Sequence, residues 1–256
     1  MAHDSLGTIA KSAVGYHVIL RLADGRHLAR DEAERRALAC VMHEQGEGRG
    51  LFAFRGADTH AHALTVGSRE QAGMFARYVE DSLRWRLRLG VSFERAQIRP
   101  LENRWHLERA VPYLFDQERH HGVDIDPLHE ASSLPDLVGM RVIGAATTAL
   151  FRITMPRMKR AELMRYFGAV ASTAIDGRQL LDATLAASGL ARLGQDGRSG
   201  AARCAAIHAL GGRTSELARL LGADSSTIRR WRHVEPDPAL VAAIKLQLAY
   251  RAGLPR

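Results

Sequence analysis

The sequence predicts an α+β protein in two parts, a sandwich of helices on one antiparallel or mixed sheet followed by an all-α C-terminal region. Three observations carry that prediction. Up to about residue 121, short alternating stretches rich in β-formers take turns with stretches of helical apolar spacing. From about Gly139 the chain turns Ala- and Leu-rich, with glycine breaks at 168, 177, 189 and 194. The excess positive charge lies wholly in the second half.

Tyr16–Leu22 alternates and opens the sheet. Arg30 to about Gln45 reads as a helix, with Ala33, Leu38, Val41 and Met42 at helical spacing and a Gly-Glu-Gly end at 46–48. Arg49–Arg55 and Ala61–Val66 are strands joined by a Gly-Ala-Asp turn at 56–58. Arg69–Leu89 is a long helix that Ser68 can cap. Glu94–Leu101 is a short strand weakened by Pro100, and Trp105–His121 a helix that Pro112 must start, kink or split. Gly194–Gly200 reads as a linker, which divides the chain into 1–144, a helical connector 145–197 and a C-terminal domain 198–256.

Composition narrows the class. The 256 residues are 46% hydrophobic and 25% charged, as in an ordinary globular protein rather than a disordered or fibrous one. No run of about 18 uncharged apolar residues exists, so a membrane-spanning helix is not expected. Cys40 and Cys204 stand far apart and make neither a CxxC pair nor a disulfide framework. With no secretory signal read at the start, these features point to the cytoplasm. Residues 1–144 carry a net charge of −1, against +3 for 145–197 and +6 for 198–256. A basic end on a neutral body is what an added nucleic-acid-binding module looks like.

Thr214–His233 reads TSELARLLGADSSTIRRWRH. A helix-turn-helix needs a small residue at the helix crossing, a glycine in the turn and apolar locking residues. Ala218, Gly222, and Leu217, Leu221, Ile228 and Trp231 meet those needs. The second helix, Ser225–Arg232, then presents Ser226, Thr227, Arg229, Arg230 and Arg232 toward DNA.

Asp58-Thr-His-Ala-His62 carries the other chemistry. Side chains repeat every two residues along a strand, so His60 and His62 project from one face about 7 Å apart and can share a divalent ion. Two surface histidines would have the same spacing. Tyr113 and Gln117 are four apart on one helix face. Gln117 can add a carbonyl oxygen beside the imidazoles, with Tyr113 one turn away and placed to attack a phosphate. By position alone, Tyr113 can equally be an aromatic core residue beside Leu114 and Phe115.

These residues carry a resemblance. Tyr16-His-Val-Ile-Leu-Arg-Leu22, Asp31-Glu-Ala-Glu-Arg-Arg36, Asp58-Thr-His-Ala-His-Ala-Leu64 and Glu102–Asp124 occur in order. Over Gly15–Gly144, about half the chain, they resemble the single-tyrosine HUH transposases, the REP-associated tyrosine transposases in particular. The resemblance implies a ferredoxin-like HUH sandwich with an antiparallel sheet. It implies Tyr113 as the nucleophile that forms a 5′-phosphotyrosine link, and His60, His62 and Gln117 as ligands of Mg²⁺ or Mn²⁺. It also implies single-stranded or hairpin DNA as substrate, and a homodimer. Pro112 stands where the family has Arg and Glu118 where it has Pro, so a catalytically inactive DNA-binding relative is the alternative.

Elsewhere the sequence is less directive. Arg77, Arg84, Arg86 and Arg88 decorate the long helix beside Glu80 and Asp81 and suit a solvated face or a strand-guiding groove with Tyr78 and Trp85. No Gly-rich phosphate loop or cofactor motif is present.

Overall fold

The computed structural model describes residues 13–116, 126, 128–167 and 177–252. It is an α+β protein whose first part runs β1 (Gly15–Arg21), α1 (Glu32–Gly46), β2 (Leu51–Gly56), β3 (His60–Thr65), α2 (Arg69–Arg86), β4 (Gln97–Leu101) and α3 (Arg104–Phe115). The four strands form one antiparallel sheet in the order β2-β3-β1-β4. A βαββαβ chain order with the first strand inside the sheet is the ferredoxin-like arrangement.

Alternation gives the sheet two different faces. Val18, Leu20, Ala61 and Ala63 point to one side, where they pack with Leu38, Met42, Phe75 and Val79 of α1 and α2. Leu64 and Leu101 point to the other side, under Leu107, Val111, Leu114 and Phe115 of α3. A register shift between Leu51 and Ala53 turns Phe52 and Ala53 both onto this second side. One extra residue in a strand does this without breaking the sheet.

Local signals set the helix ends. Asp31 accepts a hydrogen bond from the Glu34 amide at the start of α1, and Ser68 makes a full capping box with Gln71 on α2. The strand and long helix are shorter than their sequence patterns: β4 begins at Gln97 rather than Glu94, and α2 ends at Arg86. There Arg88 takes φ 50°, and the amides of Arg88 and Leu89 bond back to the Trp85 and Arg84 carbonyls. That closing pattern ends a helix whatever apolar spacing follows. Helix α3 runs through Pro112 to Phe115, with Asp116 as its cap. Its expected extension to His121 enters residues outside those described.

The second part is helical: α4 (Leu134–Leu137), α5 (Ala145–Thr154), α6 (Arg160–Met164), a 3-10 turn (Arg165–Phe167), α7 (Gly177–Ser188), α8 (Gly197–Leu210), α9 (Thr214–Leu221), α10 (Ser225–Arg232) and α11 (Pro238–Ala252). Residues 197–200, expected as linker, are instead the first turn of α8, because Asp196 accepts the Ser199 amide and starts the helix there. Leu180 and Ala183 of α7, Ala205 of α8, Leu217 of α9, Ile228 of α10 and Ile244 of α11 share one apolar core.

Buried charge ties the two parts together. Asp136 accepts from Arg141 Nε at 3.0 Å and lies 3.0 Å from His43 Nε2, whose Nδ1 is 2.9 Å from Thr147 Oγ1. Burial alone would raise the Asp136 carboxyl, but Arg141 and His43 outweigh it and hold the pKa at about 2. Gly144 is required beside them, since a Cβ there would lie 2.4 Å from the His43 ring and 2.7 Å from the Asp136 carboxyl carbon. Glu130 pairs with Arg36 of α1 at 2.6 Å and with Arg251 of α11 at 3.3 Å. Among the described residues, no helix is long and apolar enough to cross a membrane.

Candidate functional site

The second face of the sheet also carries a group of polar residues. His60 and His62 project from β3 on this face while Ala61 and Ala63 enter the core between α1, α2 and the sheet. Their ring centroids are 4.5 Å apart and nearly perpendicular, closer than bare strand spacing gives because the rings lean together. His62 is buried and His60 is half-buried.

Three further residues converge on this pair. Tyr113 comes from the last turn of α3, and its ring centroid is 6.4 Å from those of both His17 and His62. It is 45% exposed, so it is not a core aromatic. Sequence reasoning missed the other two. His17 of β1 lies on the same face, with Nε2 2.8 Å from His62 Nδ1. Burial first, then the nearby Arg99, His106 and His60, lower the His17 pKa to about 4, so this ring is neutral at pH 7. Arg55 of β2 stands directly across the ladder from His62 and is fully buried, with Nη2 donating to the Asp126 carbonyl at 3.1 Å. Burial lowers its pKa to about 10, which still leaves a full positive charge at neutral pH.

The signal for both was strand parity. His17 is an odd-numbered polar residue between buried Val18 and the strand start, and Arg55 is the one charged residue of β2. Parity assigns a face only after the register is known.

Beside the cluster opens a cleft of about 730 Å³ between β1, β4 and α3, lined by His17, Arg99, Trp105, Arg109 and Tyr113 among others. Gln117, the expected third ligand, lies outside the described residues. Among those described, no group of three or more His, Cys, Asp or Glu is arranged to hold a metal ion.

The C-terminal pair α9 and α10 is locked as expected. Leu217, Leu221 and Ile228 are buried, Ala218 and Trp231 are half-buried, and Gly222 turns the chain at φ 59°. Of its polar residues Ser226, Arg229, Arg230 and Arg232 are exposed and Thr227 is half-buried, but their bonding differs. The hydroxyls of Ser226 and Thr227 both donate to Asp224, the cap of α10. These bonds, with the Thr227 amide, drive the Asp224 carboxyl far below the usual range, so it is a fixed negative charge. Arg232 donates back to the Gly212 carbonyl. Arg229 and Arg230 face outward and are exposed. On α2, Trp85 is exposed and the Arg49 guanidinium lies 4.5 Å over the Tyr78 ring.

No protein family, curated protein or solved structure matches this chain.

Proposed function

We propose that the chain is a metal-assisted single-strand DNA endonuclease and strand transferase, with Tyr113 as its nucleophile. One observation carries this reading: an exposed tyrosine that lines a cleft stands beside a cluster of three imidazoles, one of which lies across the ladder from a buried arginine. The donor chemistry suits a divalent ion such as Mg²⁺ or Mn²⁺. His17 is neutral, and in the tautomer in which His62 Nδ1–H donates to His17 Nε2 the lone pair of His62 falls on Nε2. A metal-ligating histidine donates its other ring N–H to an acceptor that orients the ring, a part that the His17 imidazole would play here. His60 and His62 would hold the ion, with Gln117 completing the set. When bound, the ion neutralises charge on the non-bridging phosphate oxygens.

The chain's own residues supply the rest. As the Tyr113 oxygen attacks phosphorus, its hydroxyl proton passes to water. The new bond is tyrosine O–P, and the bond broken is P–O3′. The leaving oxygen takes a proton and becomes a 3′-hydroxyl. The phosphodiester energy is kept in the 5′-phosphotyrosine, so religation is the same step reversed. Arg55 contributes a fixed positive charge behind His62, which favours a phosphate at the site.

The basic pair α9–α10 would act as a helix-turn-helix, holding duplex DNA through Arg229 and Arg230. If the nuclease half is inactive, that binding is what remains.

The test is a denaturing gel of the full chain with labelled single-stranded hairpin DNA and Mg²⁺ or Mn²⁺. A covalent adduct is expected, absent with Tyr113→Phe and with His60→Ala. Equal adduct from wild type and Tyr113→Phe overturns the assignment of the nucleophile.

A further inference from the structure

Helix α3 carries Trp105, Arg109 and Tyr113 at successive four-residue steps, so the three fall along one side of the helix. All three line the same cleft. Trp105 is 64% exposed, far more than a packed indole. The Arg109 guanidinium lies 4.6 Å over its ring, which covers one face and leaves the exposed area to the other face and edge. Arg99 projects into the cleft from the facing strand β4. Arg104 adds less, since it is paired with Glu108 at 2.9 Å.

An exposed indole backed by a guanidinium suits a flat π-system held by a polyanionic backbone, because every base offers a face and the arginines take the phosphates. We propose that Trp105 is a stacking platform for one unpaired nucleobase of the single strand whose phosphate Tyr113 attacks. The inference rests on the proposed nuclease reading and adds a specificity element to it. At 1.5 Å per residue, eight residues separate the two rings by about 12 Å along the helix. At the duplex spacing of about 3.4 Å per nucleotide, that is about four nucleotides, and fewer if the strand is extended. The stacked base therefore lies within about four nucleotides of the scissile phosphate. A purely electrostatic cleft would need no base at all.

The experiment measures binding by the full chain carrying Tyr113→Phe, which cannot form an adduct, to a labelled oligothymidylate 16-mer and to an abasic 16-mer with the same phosphates. Stacking is worth about 1–3 kcal/mol per base, or roughly 5- to 150-fold, so the thymidylate is expected to bind at least 5-fold more tightly. Adding Trp105→Ala should remove that difference, and Trp105→Phe should restore most of it. Equal affinity for the two oligonucleotides, or no loss with Trp105→Ala, overturns the proposal. It is also overturned if Trp105→Ala changes only the oligomeric state in light scattering, since the indole would then be a self-contact. Adduct formation by the wild type alongside equal binding by Trp105→Ala would sink the platform and leave the nuclease reading standing. A base-dependent difference that follows Trp105, with adduct yield indifferent to Tyr113, would do the reverse.

Discussion

His17 Nε2 lies 2.8 Å from His62 Nδ1, a contact between two strands 45 residues apart. It fixes the plane of the His62 ring while the neighbouring His60 ring stands across it. If the two β3 imidazoles hold a cation, His17 is the positioning residue that sets which His62 nitrogen faces it. His17→Ala should then lower both Mn²⁺ affinity and adduct yield by about 10- to 100-fold. His17→Gln, which keeps a hydrogen-bonding group at that place, should recover part of both. Titration calorimetry with Mn²⁺ alone reads the first quantity, and unchanged affinity in His17→Ala would remove His17 from the site.

Asp136 is a buried anion between Arg141 and His43. Asp136→Asn would keep the shape and leave the Arg141 guanidinium buried without its counter-charge. A broken buried pair costs about 3–5 kcal/mol, read as a drop in the urea midpoint. A loss under 1 kcal/mol would mean that the carbonyls of Glu130 and Ser132, which Arg141 also donates to, suffice to hold it.

Acid should unfold the protein in two overlapping stages. His129 has its pKa lowered to about 3, by burial first and then by Arg55, Arg35 and Arg141. Its unfolded form takes up a proton near pH 6.5, so the stability of the neutral buried ring is lost as pH falls from there toward 3. Asp136, at about 2 when folded against an ordinary value of 3.8, contributes stability above pH 4 that is lost between about 4 and 2. That second loss is about 2 kcal/mol at 1.36 kcal/mol per pH unit. Melting temperatures measured from pH 7 to 3 should fall throughout. A plateau between pH 6.5 and 4, with His129→Gln indistinguishable from wild type, would contradict the first stage.

On α10, the residues facing outward are not equivalent. Ser226 and Thr227 spend their hydroxyls on Asp224, so Ser226→Ala should change duplex DNA affinity less than 2-fold. Joint replacement of Arg229 and Arg230 by Ala should weaken binding and reduce the slope of log affinity against log salt by about 2. An unchanged slope would place the duplex contact elsewhere or nowhere.

Local sequence signals fixed much of the fold. The Ser68 cap, the alternation in β1 and β3, and the apolar spacing of α9 and α10 all act within a few residues, and all appear in the structure. Where they failed, a backbone device decided instead. The left-handed Arg88 ends α2 inside an apolar pattern, and the Asp196 cap turns a Gly- and Ser-containing stretch into the first turn of α8.

The amino-acid sequence alone settled that His60 and His62 share a face, because a two-residue period needs no partner strand. It also settled the order of strands and helices and the location of the basic charge. Only the tertiary structure decided that His17 and Arg55 stand beside that pair and that Tyr113 reaches it. Those meetings depend on the antiparallel register and on where α3 crosses the sheet, and a contact 45 residues away leaves no trace in local periodicity. The bond from Arg232 to the Gly212 carbonyl, 20 residues away, is likewise invisible to a helical pattern, which shows Arg232 only as a polar position.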